Sequence, residues 1–213
     1  MQTQRHSKHS EQQSHQQSSV AIQSLSICML LVLLSGCAHK TSLQRLDPNK
    51  NIPLTQIEHW QLKARMAIRT AEDNVTASLN WQKDDRLFDF HISGAFGATY
   101  AHLIQLKNKA TLKIPDTELL THQNAQILLQ NTLGWEFPID ALSYWVKGLP
   151  SNKPNEKVQR NSDGQIEQIQ LNHWQIDFSS YQRFQGYQLP KKIKATHPQM
   201  TIKLVAKNWS FFE

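Results

Sequence analysis

Few side chains in this sequence have the type and spacing for chemistry. Of its ten histidines, His6, His9 and His15 sit in a Gln- and Ser-rich opening stretch, while His91, His102, His122, His173 and His197 are scattered without metal-ligand spacing. His173 with Asp177, or His102 with Asp89, could be set beside a serine. The chain nevertheless has no nucleophile elbow, paired-histidine zinc motif or glycine-rich phosphate loop. Neither an enzyme nor a metal or other cofactor is expected. Two cysteines remain, and one is placed for a specific reaction: Cys37 directly follows Leu34-Ser35-Gly36 at the end of an apolar run from Ile27.

An apolar run closed by small residues reads as a secretory signal with its cleavage site. Leu34-Ser35-Gly36-Cys37 further resembles the lipobox of bacterial lipoproteins, in which the thiol is acylated and becomes the first residue of the mature chain. A transmembrane anchor is the alternative, but a spanning helix needs roughly 20 apolar residues and this run is about half that. Residues 1–36 are therefore expected to be a cleaved signal peptide. Inner-membrane retention in many Gram-negative bacteria uses Asp after the acylated cysteine; Ala38 instead points to the outer membrane, on its periplasmic face.

Cleavage removes Arg5, Lys8 and Glu11, so 23 basic and 17 acidic residues become 21 and 16, a net charge of +5. That balance suits anionic surfaces or acidic partners, but no Lys/Arg block stands out, and nucleic acid is not expected as a partner. Cys28 lies in the removed segment and Cys37 is used by lipid, which leaves no intrachain disulfide. Residues 37–56, with Pro48 and Pro53 and few apolar side chains, read as the acylated cysteine and a flexible tether.

The body begins with a strict period of two. Trp60, Leu62, Ala64, Met66 and Ile68 face one way, and Gln61, Lys63, Arg65 and Arg69 the other, which predicts a half-buried strand. Val75 to Trp81 repeats the pattern after a turn at Glu72-Asp73-Asn74, and Phe88, Phe90 and Ile92 continue it. Tyr100–Leu106 and Ala110–Ile114 complete a meander. Between them, Gly94-Ala95-Phe96-Gly97 puts an aromatic residue in a turn. Phe96 either folds back onto the core or is an exposed apolar probe.

The period then lengthens. Thr121–Thr132 before Gly134, and Pro138 to Gly148 with Ile139, Leu142, Trp145 and Val146 on one face, predict two short helices. Strands return at Ile166–Leu171 after Asp163-Gly164, at Trp174–Phe178, at Tyr187–Lys194 and at Met200–Lys207. An antiparallel sheet with one apolar face can close into a filled barrel, or curve around helices and leave a cavity. The inward residues Trp60, Leu62, Met66, Leu79, Trp81, Phe88, Phe90, Trp174 and Phe178, with Leu142 and Trp145 from the helix, suit either a packed core or a cavity lining.

Several motifs together resemble the LolB family of outer-membrane lipoprotein receptors. They are Gly94-Ala95-Phe96-Gly97, the stretch from Leu133-Gly134 through Phe137-Pro138-Ile139, Leu142 and Trp145 to Gly148-Leu149-Pro150, and the closing Ile202-Lys203-Leu204 with Asn208-Trp209. The resemblance implies a mainly β fold with a few helices (α+β): a curved antiparallel half-barrel under a helical lid, LolA/LolB-like, over residues 57–213. It also implies a monomer that takes acylated lipoprotein cargo from a LolA-like periplasmic carrier into an apolar cavity and inserts it into outer-membrane phospholipid. Gly94, Ala95, Phe96 and Gly97 would be the membrane-insertion loop, with Phe96 where the family usually has leucine. The carrier would meet the cavity rim, where Lys63, Arg65 and Arg69 either contribute or form a solvated strand face. A lipid-anchored envelope scaffold with a filled core is the alternative.

Overall fold

The computed structural model describes residues 44–47, 50–134 and 136–213. Cys37, the signal segment and the start of the tether lie outside them. Eleven strands form one antiparallel sheet: β1 (Trp60–Arg69), β2 (Asn74–Lys83), β3 (Leu87–Ser93), β4 (Thr99–Leu106), β5 (Lys109–Lys113), β6 (Leu120–His122), β7 (Lys157–Arg160), β8 (Ile166–Leu171), β9 (Trp174–Phe184), β10 (Tyr187–His197) and β11 (Met200–Phe211). Their order in space is β6-β5-β4-β3-β2-β1-β11-β10-β9-β8-β7. The sheet is two meanders joined where β1 pairs with β11, with Trp60 opposite Phe211 and Arg69 opposite Thr201. It stays open, and its mainly β architecture with two helices is the fold class expected.

The alternation along β1 is realised residue by residue. Trp60, Leu62, Ala64 and Met66 are buried on the concave face, and Lys63, Arg65 and Arg69 are exposed on the convex one. Helix α1 (Ala125–Leu133) packs over β4, β5 and β6. It starts at Asn124, whose side chain accepts from the N–H groups of Gln126 and Ile127, and it ends where Gly134 takes φ 78°. Helix α2 (Ile139–Trp145) follows Pro138 and buries Ile139, Ala141 and Trp145. Thr121 and His122 therefore belong to a short edge strand, where Thr121 and His122 pair with Thr111 and Ala110, and the helix begins four residues later than Thr121.

Part of the stretch read as the distal tether is held against the domain. Arg45 bridges to Phe212, Leu46 N–H donates to the Phe211 carbonyl at 2.9 Å, and Leu46 is only 7% exposed. Ile57 is buried, and Ile52 accepts a 2.9 Å hydrogen bond from the Tyr187 hydroxyl at its carbonyl. Isolated apolar residues set among Pro and Asn give no periodic signal, yet Leu46 is held at the end of β11, and Ile52 and Ile57 pack against the core and are bonded to Tyr187 and Lys147.

Candidate functional site

Register sorts the turns into two ends. β1, β3, β5, β9 and β11 run between a Trp60 end, which carries His59, Asp85 and Glu213, and an Arg69 end, which carries the β3–β4 loop and the β10–β11 turn. At the Trp60 end the interior is solid. Trp60 lies edge-on to Trp81 at 5.0 Å and tilted against Trp209 at 5.3 Å, and Trp209 stacks on Phe211 at 5.6 Å. Aromatic pairs of this kind add to the stabilisation from burial itself.

Away from that plug the packing fails and a cavity of about 140 Å³ remains. Met66, Ile68, Trp81, Phe88, Phe90, Ile92, Ala101, Leu103, Leu112, Met200 and Ile202 line it from the sheet, and Leu129, Leu133, Phe137, Ile139 and Leu142 from the helical side. A second compartment of about 60 Å³ is bounded by Leu79, Trp145, Val146, Ile176, Ile193, Ala195 and Leu204, and shares Met66, Trp81, Phe90, Phe137, Leu142 and Ile202 with the first. Ile68, Ile92, Ala101 and Met200 set the larger space toward the Arg69 end. The walls are apolar throughout. Among the described residues, the Trp81 indole nitrogen is a buried polar atom at these walls without a hydrogen-bond partner.

Seven of the eleven residues singled out from sequence face these compartments: Met66, Leu79, Trp81, Phe88, Phe90, Leu142 and Trp145. The other four do not. Trp60 and Leu62 fill the plug end, and Phe178 is core beneath β9. Trp174 packs against Phe137 at 5.6 Å and borders a polar recess with Glu136, His173 and His197. Ile68 and Ile92, which the sequence pattern places in the inward phase of their strands, and Ile202 also line the cavity, although they were not among the residues singled out. Nor was Phe137, which comes from irregular backbone and has no periodic signature.

The Gly94-Ala95-Phe96-Gly97 loop closes β3 to β4 at the cavity end. Ala95–Gly97 makes a single 3-10 turn with Phe96 at φ 58° and Gly97 at φ 81°. A side chain on Gly94 would come within 2.3 Å of the Tyr100 ring, so the loop is held by close backbone approach. Phe96 is 109% exposed, with its ring entirely outside the fold. Of the two readings left open for this residue, the geometry matches the exposed one. A non-glycine residue in the left-handed region is strained, here to hold an aromatic ring in water.

The lid is fixed at one end. Glu156 gathers Trp145 Nε1 at 2.6 Å, the Ser151 hydroxyl and N–H at 2.8 and 3.1 Å, and Asn152 N–H at 2.8 Å. Lys147, just past α2, is 5% exposed and donates to the Ile57 carbonyl at 2.9 Å. Burial lowers its pKa to about 8, the charge of Lys83 adding to that effect and Glu58 opposing it. The imagined catalytic pairs have other work. Asp177 accepts from Gln168 and Gln175, away from His173. His102 Nε2 does lie 2.8 Å from Asp89 Oδ1, but on the outward side of β3 and β4, where the ring neighbour of His102 is His91.

Residues 58–209 match the family model for outer membrane lipoprotein LolB. The chain is 32% identical to the outer-membrane lipoprotein LolB of Marinomonas sp. (strain MWYL1) over 87% of its length and 96% of that protein. It is 28% identical to the LolB of Pseudomonas paraeruginosa, over 84% of its own length and 91% of the relative. Among solved structures, a LolA superfamily protein from Nitrosomonas europaea superposes with a TM-score of 0.45 at 7% identity, covering 74% of this chain and 88% of that one. The chain belongs to the outer membrane lipoprotein LolB family, and is a non-enzymatic outer-membrane lipoprotein and receptor of the lipoprotein-localisation pathway.

Proposed function

We propose that the apolar cavity receives the acyl chains of lipoproteins from a LolA-like periplasmic carrier, and that the Phe96 loop delivers them into outer-membrane phospholipid, with Cys37 as the lipid anchor. The observation that carries this reading is the pairing of a hollow, wholly apolar interior with a fully exposed aromatic loop at the same end of the sheet. Burying an acyl methylene is worth about 0.8 kcal/mol, so release of acylated cargo into water would cost on the order of tens of kcal/mol. Transfer from cavity to cavity avoids that barrier and needs no nucleotide.

At about 140 Å³ the larger compartment is below the roughly 300–1,000 Å³ of ordinary ligand pockets. Loading therefore requires expansion. Trp145 and Lys147 are bolted to Glu156 and Ile57, so the yielding side is the α1 edge and the turn through Phe137. Transfer of an acylated cargo from purified carrier to the purified chain tests the reading. Cargo should move and then appear in added vesicles; a chain that stays empty while a working LolB is loaded refutes it.

A further inference from the structure

The acyl cavity and the Phe96 loop account for the concave face and one end, but not for the charge on the convex face. The neighbouring strands β1, β11 and β10 contain eight Lys and Arg residues and no Asp or Glu. Seven of these, Lys63, Arg65 and Arg69 on β1, Lys203 and Lys207 on β11, and Lys192 and Lys194 on β10, are exposed on the outward side. None takes part in a salt bridge among the described residues. Asp177, opposite Lys194, is already held by two glutamine amides, and Glu72 and Asp73 lie in the turn beyond Arg69. Seven like charges on adjacent strands repel one another, and an anionic surface would relieve that repulsion.

The chain's own geometry selects the surface. The Glu213 N–H holds the Gln44 carbonyl at the Trp60 end, opposite Phe96. Cys37 precedes Gln44 by seven residues, at most about 25 Å of extended chain, whereas the ten residues of β1 span about 33 Å. With Phe96 and the Cys37 lipid in one bilayer, the strands cannot stand upright on it. They must tilt by at least about 40° from upright, which turns one face of the sheet toward the membrane. A carrier that hands over cargo has to meet the cavity, which is on the other side of the sheet from these cations.

We propose that the convex face of β1, β11 and β10 is a docking surface for anionic phospholipid headgroups, which lays the sheet along the membrane during delivery. The orientation rests on the Phe96 insertion reading above; the charge argument does not. Each cation near an anionic leaflet contributes about a five-fold gain in binding. The test uses the full acylated chain in vesicles of equal parts phosphatidylethanolamine and phosphatidylglycerol, and in vesicles of phosphatidylcholine alone. Amine labelling of Lys192, Lys194 and Lys203, resolved by mass spectrometry, should be several-fold slower on the anionic vesicles, and added salt should restore it. The triple change Lys192→Gln, Lys194→Gln and Lys203→Gln, checked for an unchanged thermal midpoint, should return Lys63 and Lys207 to full labelling. Equal labelling on the two vesicles overturns the proposal, as does protection that appears only when an acidic carrier protein is added. Delivery of cargo by Phe96→Glu is read separately, so insertion by the loop can fail while headgroup docking stands.

Discussion

Lys147 Nζ donates to the carbonyl oxygen of Ile57 at 2.9 Å, tying the end of the lid helix to the segment that precedes β1. Burial is what moves this ammonium, lowering its pKa from 10.5 to about 8, with Lys83 in the same direction and Glu58 against it. Between those two values the unfolded chain binds more protons, so stability rises with pH across this window. Below pH 8 the charged form costs the fold on the order of 2–3 kcal/mol. Denaturant unfolding of Lys147→Met beside the parent should therefore give curves that diverge from pH 8 to 10.5, the parent gaining. Parallel curves would mean that the ammonium is solvated.

Glu156 is the other bolt. Its carboxylate takes hydrogen bonds from Trp145, Ser151 and Asn152, so Glu156→Ala leaves several donors unpaired at a partly buried site. We expect a loss of roughly 2–4 kcal/mol in unfolding free energy. Glu156→Gln keeps an acceptor and should recover part of it. If Ala and Gln behave alike, charge rather than the hydrogen-bond set holds the loop.

Legibility in the sequence tracked burial. β1 and β2 are half-buried, so their side chains alternate and the strands can be read directly. β7 is exposed at all four residues of Lys157–Arg160 and carries no pattern at all. The inward aromatics were visible as a set, but which of them face empty space was not. That depends on the pairing of β1 with β11, which brings Trp60, Trp209 and Phe211 to the same end and plugs it. Packing of residues 44–46 was hidden for a related reason, since their partner, the end of β11, is more than 160 residues away in sequence.

Separating lining from plug gives a pair of opposed substitutions. Leu142 faces both compartments, so Leu142→Trp fills acyl space at an overpacking cost of about 1–3 kcal/mol. Acyl-probe binding, followed by displacement of a fluorescent fatty acid, should drop sharply. Trp60→Phe opens the plug, should cost a similar roughly 1–3 kcal/mol, and should leave probe binding as it was. The reverse outcome would move the acyl site to the Trp60 end.

Phe96 gives the sharpest opposition between stability and function. Its ring touches no core, so nothing in the packing is lost by removing it, and its φ of 58° is a conformation that glycine adopts without strain. Relief of that strain, about 1–2 kcal/mol, is partly offset by the greater entropy that glycine loses on folding, about 0.5–1 kcal/mol. Phe96→Gly should thus be as stable as the parent or up to about 1.5 kcal/mol more so, read as the thermal midpoint. Uptake of acylated cargo from the carrier should persist, because the cavity walls are unchanged, while transfer from the loaded chain into vesicles should fall. A strained residue whose removal stabilises the fold is retained for what its side chain does outside it. Normal delivery by a stabilised Phe96→Gly protein would take that role away from the loop.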